Sequence, residues 1–112
     1  MDLLQKSTRS MRDYEVIFSN AALIDYTAIS KYLPSVLSET GATKYAQAMR
    51  EEILTIGIYA DCFQRCNSKQ ILTIHPQARR MVSHNKRWVY VFHIDGDFAI
   101  VDRILSSKNI KH

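Results

Sequence analysis

Cysteine is nearly absent: the 112 residues hold only Cys62 and Cys66, in a C-x-x-x-C spacing. One pair, with no second pair and no suitable His cluster beside it, cannot complete a zinc site. Ordinary reduced thiols are the expectation, and neither a metal nor a cofactor is expected. A long apolar run is missing as well. The longest, residues 53–60, falls far short of the roughly 20 residues a membrane helix needs, so no membrane association is expected. Residues 1–10 carry Lys6 and Arg9 with no apolar core after them, so no signal peptide is read. A cytoplasmic, soluble protein is the default.

Acidic residues are short in one half only. Residues 1–60 hold six Lys/Arg against seven Asp/Glu, whereas residues 61–112 hold nine against four, so the net charge of +4 sits on the C-terminal half. A basic surface suits an acidic partner, either nucleic acid or an acidic protein segment. A solvated basic surface with no partner is the plainer alternative.

What is present reads as one domain. At 46% hydrophobic content the chain can bury a core without staples. Residues 1–11 lack periodicity and are expected to be a flexible tail, leaving residues 12–112 as a single domain. Residues 14–18 alternate and are β-rich, which predicts a short first strand. Ser19 and Asn20 then offer caps to a helix over residues 21–33, with Ala22, Tyr26, Ile29 and Leu33 on its stripe, and Pro34 ends it. A second helix is predicted over residues 41–56, with Tyr45, Met49, Ile53 and Ile56 on one stripe and Gly57 as its stop.

The second half is strand-rich. Residues 71–74 are expected to form a brief strand, His75-Pro76 a turn, residues 78–84 a strand, and Asn85-Lys86 a polar loop. Residues 87–108 read as two alternating strands joined by a tight Asp-Gly turn. Trp88, Tyr90, Phe92 and Ile94 share one face, and a two-residue turn adds Ala99, Val101, Arg103 and Leu105 to it. That bulkier face belongs against the helices. The other, with Val89, Val91, Phe98, Ile100 and Ile104, is too apolar to face water, so a partner protein or the chain's own segment 57–77 must cover it. The fold class is therefore α+β, a helical hairpin on a small, mainly antiparallel sheet in the order β-α-α-β-β-β.

This order resembles the RelE/ParE superfamily of toxins from type II toxin–antitoxin modules, over about residues 12–109. The opening Tyr14-Glu-Val-Ile-Phe-Ser19 resembles the family's first strand, and Arg79-Arg80 followed by Arg87-Trp88 its middle strands. Val91-Phe-His-Ile-Asp-Gly-Asp97 with Arg103-Ile-Leu105 resembles its C-terminal hairpin. The resemblance implies a growth-inhibiting, plasmid-stabilising type of bacterial toxin, neutralised by a cognate antitoxin that wraps its surface; the sequence leaves open whether it forms a homodimer when that partner is absent. Family members either inhibit DNA gyrase, as ParE does, or cleave mRNA on the ribosome, as RelE does.

A nuclease needs the 2′-hydroxyl deprotonated, the phosphate's charge stabilised and the leaving oxygen protonated. Arg80, His84, Lys86, Arg87 and Lys108 are the catalytic candidates for an endoribonuclease. Plainer structural roles stand beside the functional ones: His84 as a polar strand-end residue, and Arg103, outside the catalytic set, as a snorkelling side chain at the edge of the core. His112 ends the chain, and His75 stands in a turn. Asp95 and Asp97 flank the hairpin turn, where backbone hydrogen bonding explains them without a metal. As a binding surface for a partner, the candidates are Arg80, Arg87, Val89, Val91, Phe98, Ile100 and Arg103. Where RelE-like proteins frequently carry a His-Gly-Arg-Arg-like segment, this chain has Ser106-Ser107-Lys108-Asn109. That departure ranks a ParE-like inhibitor first, a ribosome-dependent RNase second and a non-toxic binding protein of the same fold third.

Overall fold

A computed structural model describes residues 13–109; the tail expected at residues 1–11 and His112 lie outside them. Strand β1 (Glu15–Phe18) leads into helix α1 (Asn20–Tyr32). Ser19 caps that helix, its Oγ accepting from the Ala22 amide at 3.1 Å. Pro34 falls in a 3-10 turn (Leu33–Ser35) directly after it, as its fixed φ requires. Helix α2 (Glu39–Leu54) starts two residues earlier than expected because Ser38 caps it, accepting from Gly41 N at 3.0 Å. Tyr26 donates to the Ala46 carbonyl at 2.8 Å and ties the two helices together.

Gly57 does not stop the chain's helical course. A further turn, α3 (Ile56–Tyr59), runs through it and passes into a 3-10 turn (Ala60–Cys62). The glycine is needed for close approach: a Cβ there would lie 2.5 Å from the Tyr14 carbonyl oxygen, while Tyr14 N donates to Gly57 O at 2.7 Å. Helix α4 (Lys69–Leu72) stands where a brief strand was expected. So short an apolar run carries no decisive period, and its helical form carries the buried Ile71 onto the sheet.

Strands β2 (Arg79–Val82), β3 (Trp88–Asp95) and β4 (Phe98–Ser106) complete a four-stranded sheet in the order β1-β4-β3-β2, with β1 parallel to β4. The hairpin loop is Gly96-Asp97, since Asp95 and Phe98 are paired. Gly96 alone takes positive φ there, at 61°, the pattern of a type II′ turn. The inner face, with Tyr90, Phe92, Ala99, Val101 and Ile104, packs on Ala22, Met49, Ile53 and Ile56 of the helices.

A β-bulge corrects the expected face assignment. Phe92 pairs with Val101 but Val91 pairs with Arg103, leaving Asp102 as the extra residue. Beyond it the parity reverses. Ile104 joins the inner core, while Leu105 packs on the outer face with Val89 and Val91. The chain itself covers that outer face: Ile71, Ile74, Ala78 and Cys66 pack over Val89 and Val91, which are fully buried. His75 stacks on His93 at 3.6 Å between ring centroids, and His93 Nδ1 meets the bulged Asp102 carboxylate at 2.8 Å.

Strand β1 flanks β4 only as far as Val101; Ser19 then takes over, its N donating to Val101 O and its Oγ to Asp102 O. Asp25 of α1 continues along the edge. Its carboxylate accepts from Ile104 N at 2.9 Å and from Arg103 Nε at 2.7 Å and Nη2 at 3.2 Å.

Candidate functional site

The loop joining β2 to β3 is built on Ser83, the one polar residue that is buried among the described residues. Ser83 N donates to Trp88 O, its hydroxyl donates to Asn85 Oδ1, and it receives the Trp88 amide. Lys86 adopts a positive φ of 65° at the tip, its N–H held by Ser83 O at 2.9 Å. The end of β4 docks on the same loop: Ser107 N donates to Arg87 O at 2.9 Å and Ser107 Oγ to Lys86 O at 2.7 Å. These backbone bonds bring Lys86, Arg87 and Lys108, all exposed, to one end of the sheet.

Beside this cationic end lies a cavity of about 300 Å³, lined by Tyr45, Met49, Glu52, His84, Trp88 and Tyr90 among others. Helix α2 supplies its polar floor. Glu52 accepts from the Tyr90 hydroxyl at 2.7 Å with one oxygen and from the His84 amide at 2.6 Å with the other. Tyr45 OH receives Asn85 Nδ2 at 2.7 Å and Trp88 Nε1 at 2.9 Å. Burial, followed by the hydrogen bond and charge of Glu52, holds the Tyr90 hydroxyl far above its ordinary range. It therefore stays protonated at neutral pH and acts as a fixed donor.

Chemically this is a closed network. Both oxygens of Glu52 are engaged, Tyr90 cannot serve as a base, and among the described residues the His84 imidazole has no partner to orient it. The three cations thus border a shaped, largely apolar recess. Sequence reasoning missed Glu52, Asn85 and the polar role of Tyr45. One signal was available: Glu52 lies three residues after Met49 and four before Ile56, which places a carboxylate on the helix's apolar stripe.

The other candidates lie elsewhere. Arg80 sits on β2 opposite Val91, on the outer side of the sheet. Arg103 is bound to Asp25, whose hydrogen bond raises its pKa, so its guanidinium is already paired. Val89 and Val91, expected on a partner-binding face, are instead inside the chain's own second core, because segment 66–78 folds over them. Phe98, 39% exposed, and the half-buried Ile100 remain near the hairpin turn.

No family model matches the chain, and no curated protein does. Among solved structures, a chain of the chromosomal ParDE TA system from P. aeruginosa is similar with a TM-score of 0.70. Identity is 17%, over 84% of this chain and 96% of that one. The chain has a ParE-like α+β fold. Since nearly all of the neighbour is matched, the ParE-like fold is present whole and the surplus length belongs to this chain. In this ParE-like fold no described helix is long and apolar enough to cross a membrane.

Proposed function

We propose that this chain is the toxin of a bacterial type II toxin–antitoxin module, neutralised by a cognate antitoxin, and that it inhibits growth by binding DNA gyrase without chemistry of its own. The fold shared with a chain of a ParDE system supports the toxin half of this reading. The observation that carries the second half is the closed Tyr90–Glu52–His84 network. RNA cleavage by 2′-hydroxyl attack needs a base within reach of that hydroxyl and a donor at the leaving oxygen. Here the carboxylate is spent on structural bonds, the phenol stays protonated, and the imidazole is unoriented. Lys86, Arg87 and Lys108 then serve best as an exposed cationic contact beside an aromatic recess, a surface that steers and anchors an acidic macromolecule.

Induced expression in a bacterial host tests the proposal. Growth arrest is expected, relieved by co-expressing the product of an adjacent antitoxin-like reading frame. Arg87→Ala and Lys108→Ala should weaken arrest by degrees, as lost contacts do, whereas loss of a catalytic group would abolish it. Good expression with no arrest would leave only the non-toxic binding protein. Cleaved mRNA on ribosomes, removed completely by Arg87→Ala or His84→Ala, would replace the binder with a RelE-like endoribonuclease.

A further inference from the structure

Beside β2 lies a second recess that the proposed function does not use. Its wall is segment 62–68, fixed beside the strand by three sets of contacts. Arg79 Nη1 donates to Ala60 O at 3.1 Å and Phe63 O at 2.9 Å, Cys66 N donates to Ala78 O at 2.8 Å, and Arg65 forms an isolated antiparallel bridge with Arg79. The recess is about 540 Å³, bounded by residues 62–68 and by Arg80. It is therefore shaped before any ligand arrives, which lowers the ordering cost of binding.

Its polar chemistry is one-sided. Arg80 and Arg65 line it together with Gln64, Asn67 and Ser68, and no Asp or Glu lines it among the described residues. Arg80 Nη1 is buried and has no hydrogen-bond partner among the described residues. Burying a charged nitrogen without a partner is costly, which leaves the Arg80 guanidinium short of acceptors at the recess it lines. The Cys66 thiol records the same neighbourhood: burial pushes its pKa up and the adjacent Arg80 charge opposes that rise.

We propose that this recess binds the side-chain carboxylate of an acidic protein segment, with Arg80 and Arg65 as its cationic donors. A planar guanidinium matches the two oxygens of a carboxylate, and that of the half-buried Arg80 is less screened by water than a fully exposed one. Tracking a nucleic-acid backbone takes a groove whose cations follow the strand. Two arginines on the wall of one recess suit a single anionic side chain instead. Naming that segment as the antitoxin's rests on the toxin reading above, whereas the chemistry of the recess does not.

Titration of the full chain, followed by NMR of backbone amides 63–68 and the Arg80 Nε–H, tests this. The probes are N-acetylglutamate methylamide, its neutral glutamine counterpart and inorganic phosphate. The glutamate probe should give saturable shifts confined to these groups, in roughly the millimolar range that so few atoms allow, and the glutamine probe none. Arg80→Gln should lower affinity about tenfold or more, as loss of a charge-assisted hydrogen bond does. Arg80→Lys should fall between, and Arg65→Gln should weaken binding less; unchanged spectra elsewhere show that each variant folds. No saturable response, equal response to the glutamine probe, or a folded Arg80→Gln that binds as well as the parent would overturn the proposal. Phosphate binding tenfold tighter than the glutamate probe would overturn the choice of carboxylate in favour of a phosphoryl group. Growth arrest is read separately. A chain that binds the probe without arresting growth removes the toxin reading alone, and one that arrests growth but ignores the probe removes the recess alone.

Discussion

Replacing Asp25 by Ala removes the acceptor that finishes the edge of β4 once β1 has ended. Two kinds of bond disappear together. The Ile104 amide, in a residue only 4% exposed, loses its 2.9 Å partner, and an unmatched buried N–H costs about 1–3 kcal/mol. The Arg103 pair is also lost, but that side chain is 40% exposed; screening by solvent limits such a pair to roughly 0.2–1 kcal/mol. The sum is about 2 kcal/mol, or a fall in melting temperature of roughly 10 °C for a domain of this size. Asp25→Asn keeps an oxygen for the Ile104 amide and should cost only about 0.5 kcal/mol, since it removes just the charge. Arg103→Ala should likewise cost less than Asp25→Ala. Urea unfolding of the three variants reads these differences directly. If Asp25→Asn is as damaging as Asp25→Ala, or if Asp25→Ala is nearly neutral, then α1 does not complete the sheet edge in the way argued.

Gly57→Ala forces a methyl group to within 2.5 Å of the Tyr14 carbonyl oxygen and should destabilise by about 1–3 kcal/mol in chemical denaturation; a neutral result would mean that β1 does not approach α3 so closely. Ile71→Ala opens the second core over Val89 and Val91 and should cost about 2–5 kcal/mol, with raised binding of a hydrophobic dye; unchanged stability would show that segment 66–78 does not cover the outer face. Tyr90→Phe removes a hydrogen bond to Glu52 and should cost roughly 1 kcal/mol at neutral pH. Its pH dependence has a defined sign. The fold raises the Tyr90 pKa, so it binds this proton more tightly than the unfolded chain. The contribution is complete below the ordinary tyrosine value of about 10 and is lost as pH rises above it. Urea midpoints of parent and Tyr90→Phe should therefore converge above about pH 10, and parallel curves would contradict the Glu52 environment.

The elements that carry strong local patterns were legible in the sequence. Ser19 before a helical stripe, the alternation from Trp88 to Ile94, and Gly96 in the turn each specify local geometry, and the β-α-α-β-β-β order followed from them. The bulge at Asp102 was not legible. Its causes are tertiary: Asp25 receives the Ile104 amide from 79 positions away, and His93 meets Asp102 across the hairpin. Both possible faces of β4 are apolar in sequence, so alternation alone could not show the change of parity. Residues 71–74 were misread as a strand because a four-residue, mostly apolar run fits a helix as well, and Ile71 and Leu72 close a helical turn instead. At the candidate site, Lys86 and Arg87 stood out by their place beside the predicted strands and Lys108 by the family resemblance, and the chain brings the three to one end of the sheet. Glu52 and Tyr45 did not stand out, since their partners lie 32 to 43 positions further along the chain and only packing of α2 on the sheet brings them together.

Inhibition by binding, with no cleavage, is what is proposed for this ParE-like fold. Incubating the purified chain with DNA gyrase and relaxed plasmid, and in parallel with ribosomes paused on an mRNA, tests that claim most directly. The account predicts loss of supercoiling with the mRNA left intact. Normal supercoiling together with mRNA cut on the ribosome would contradict it.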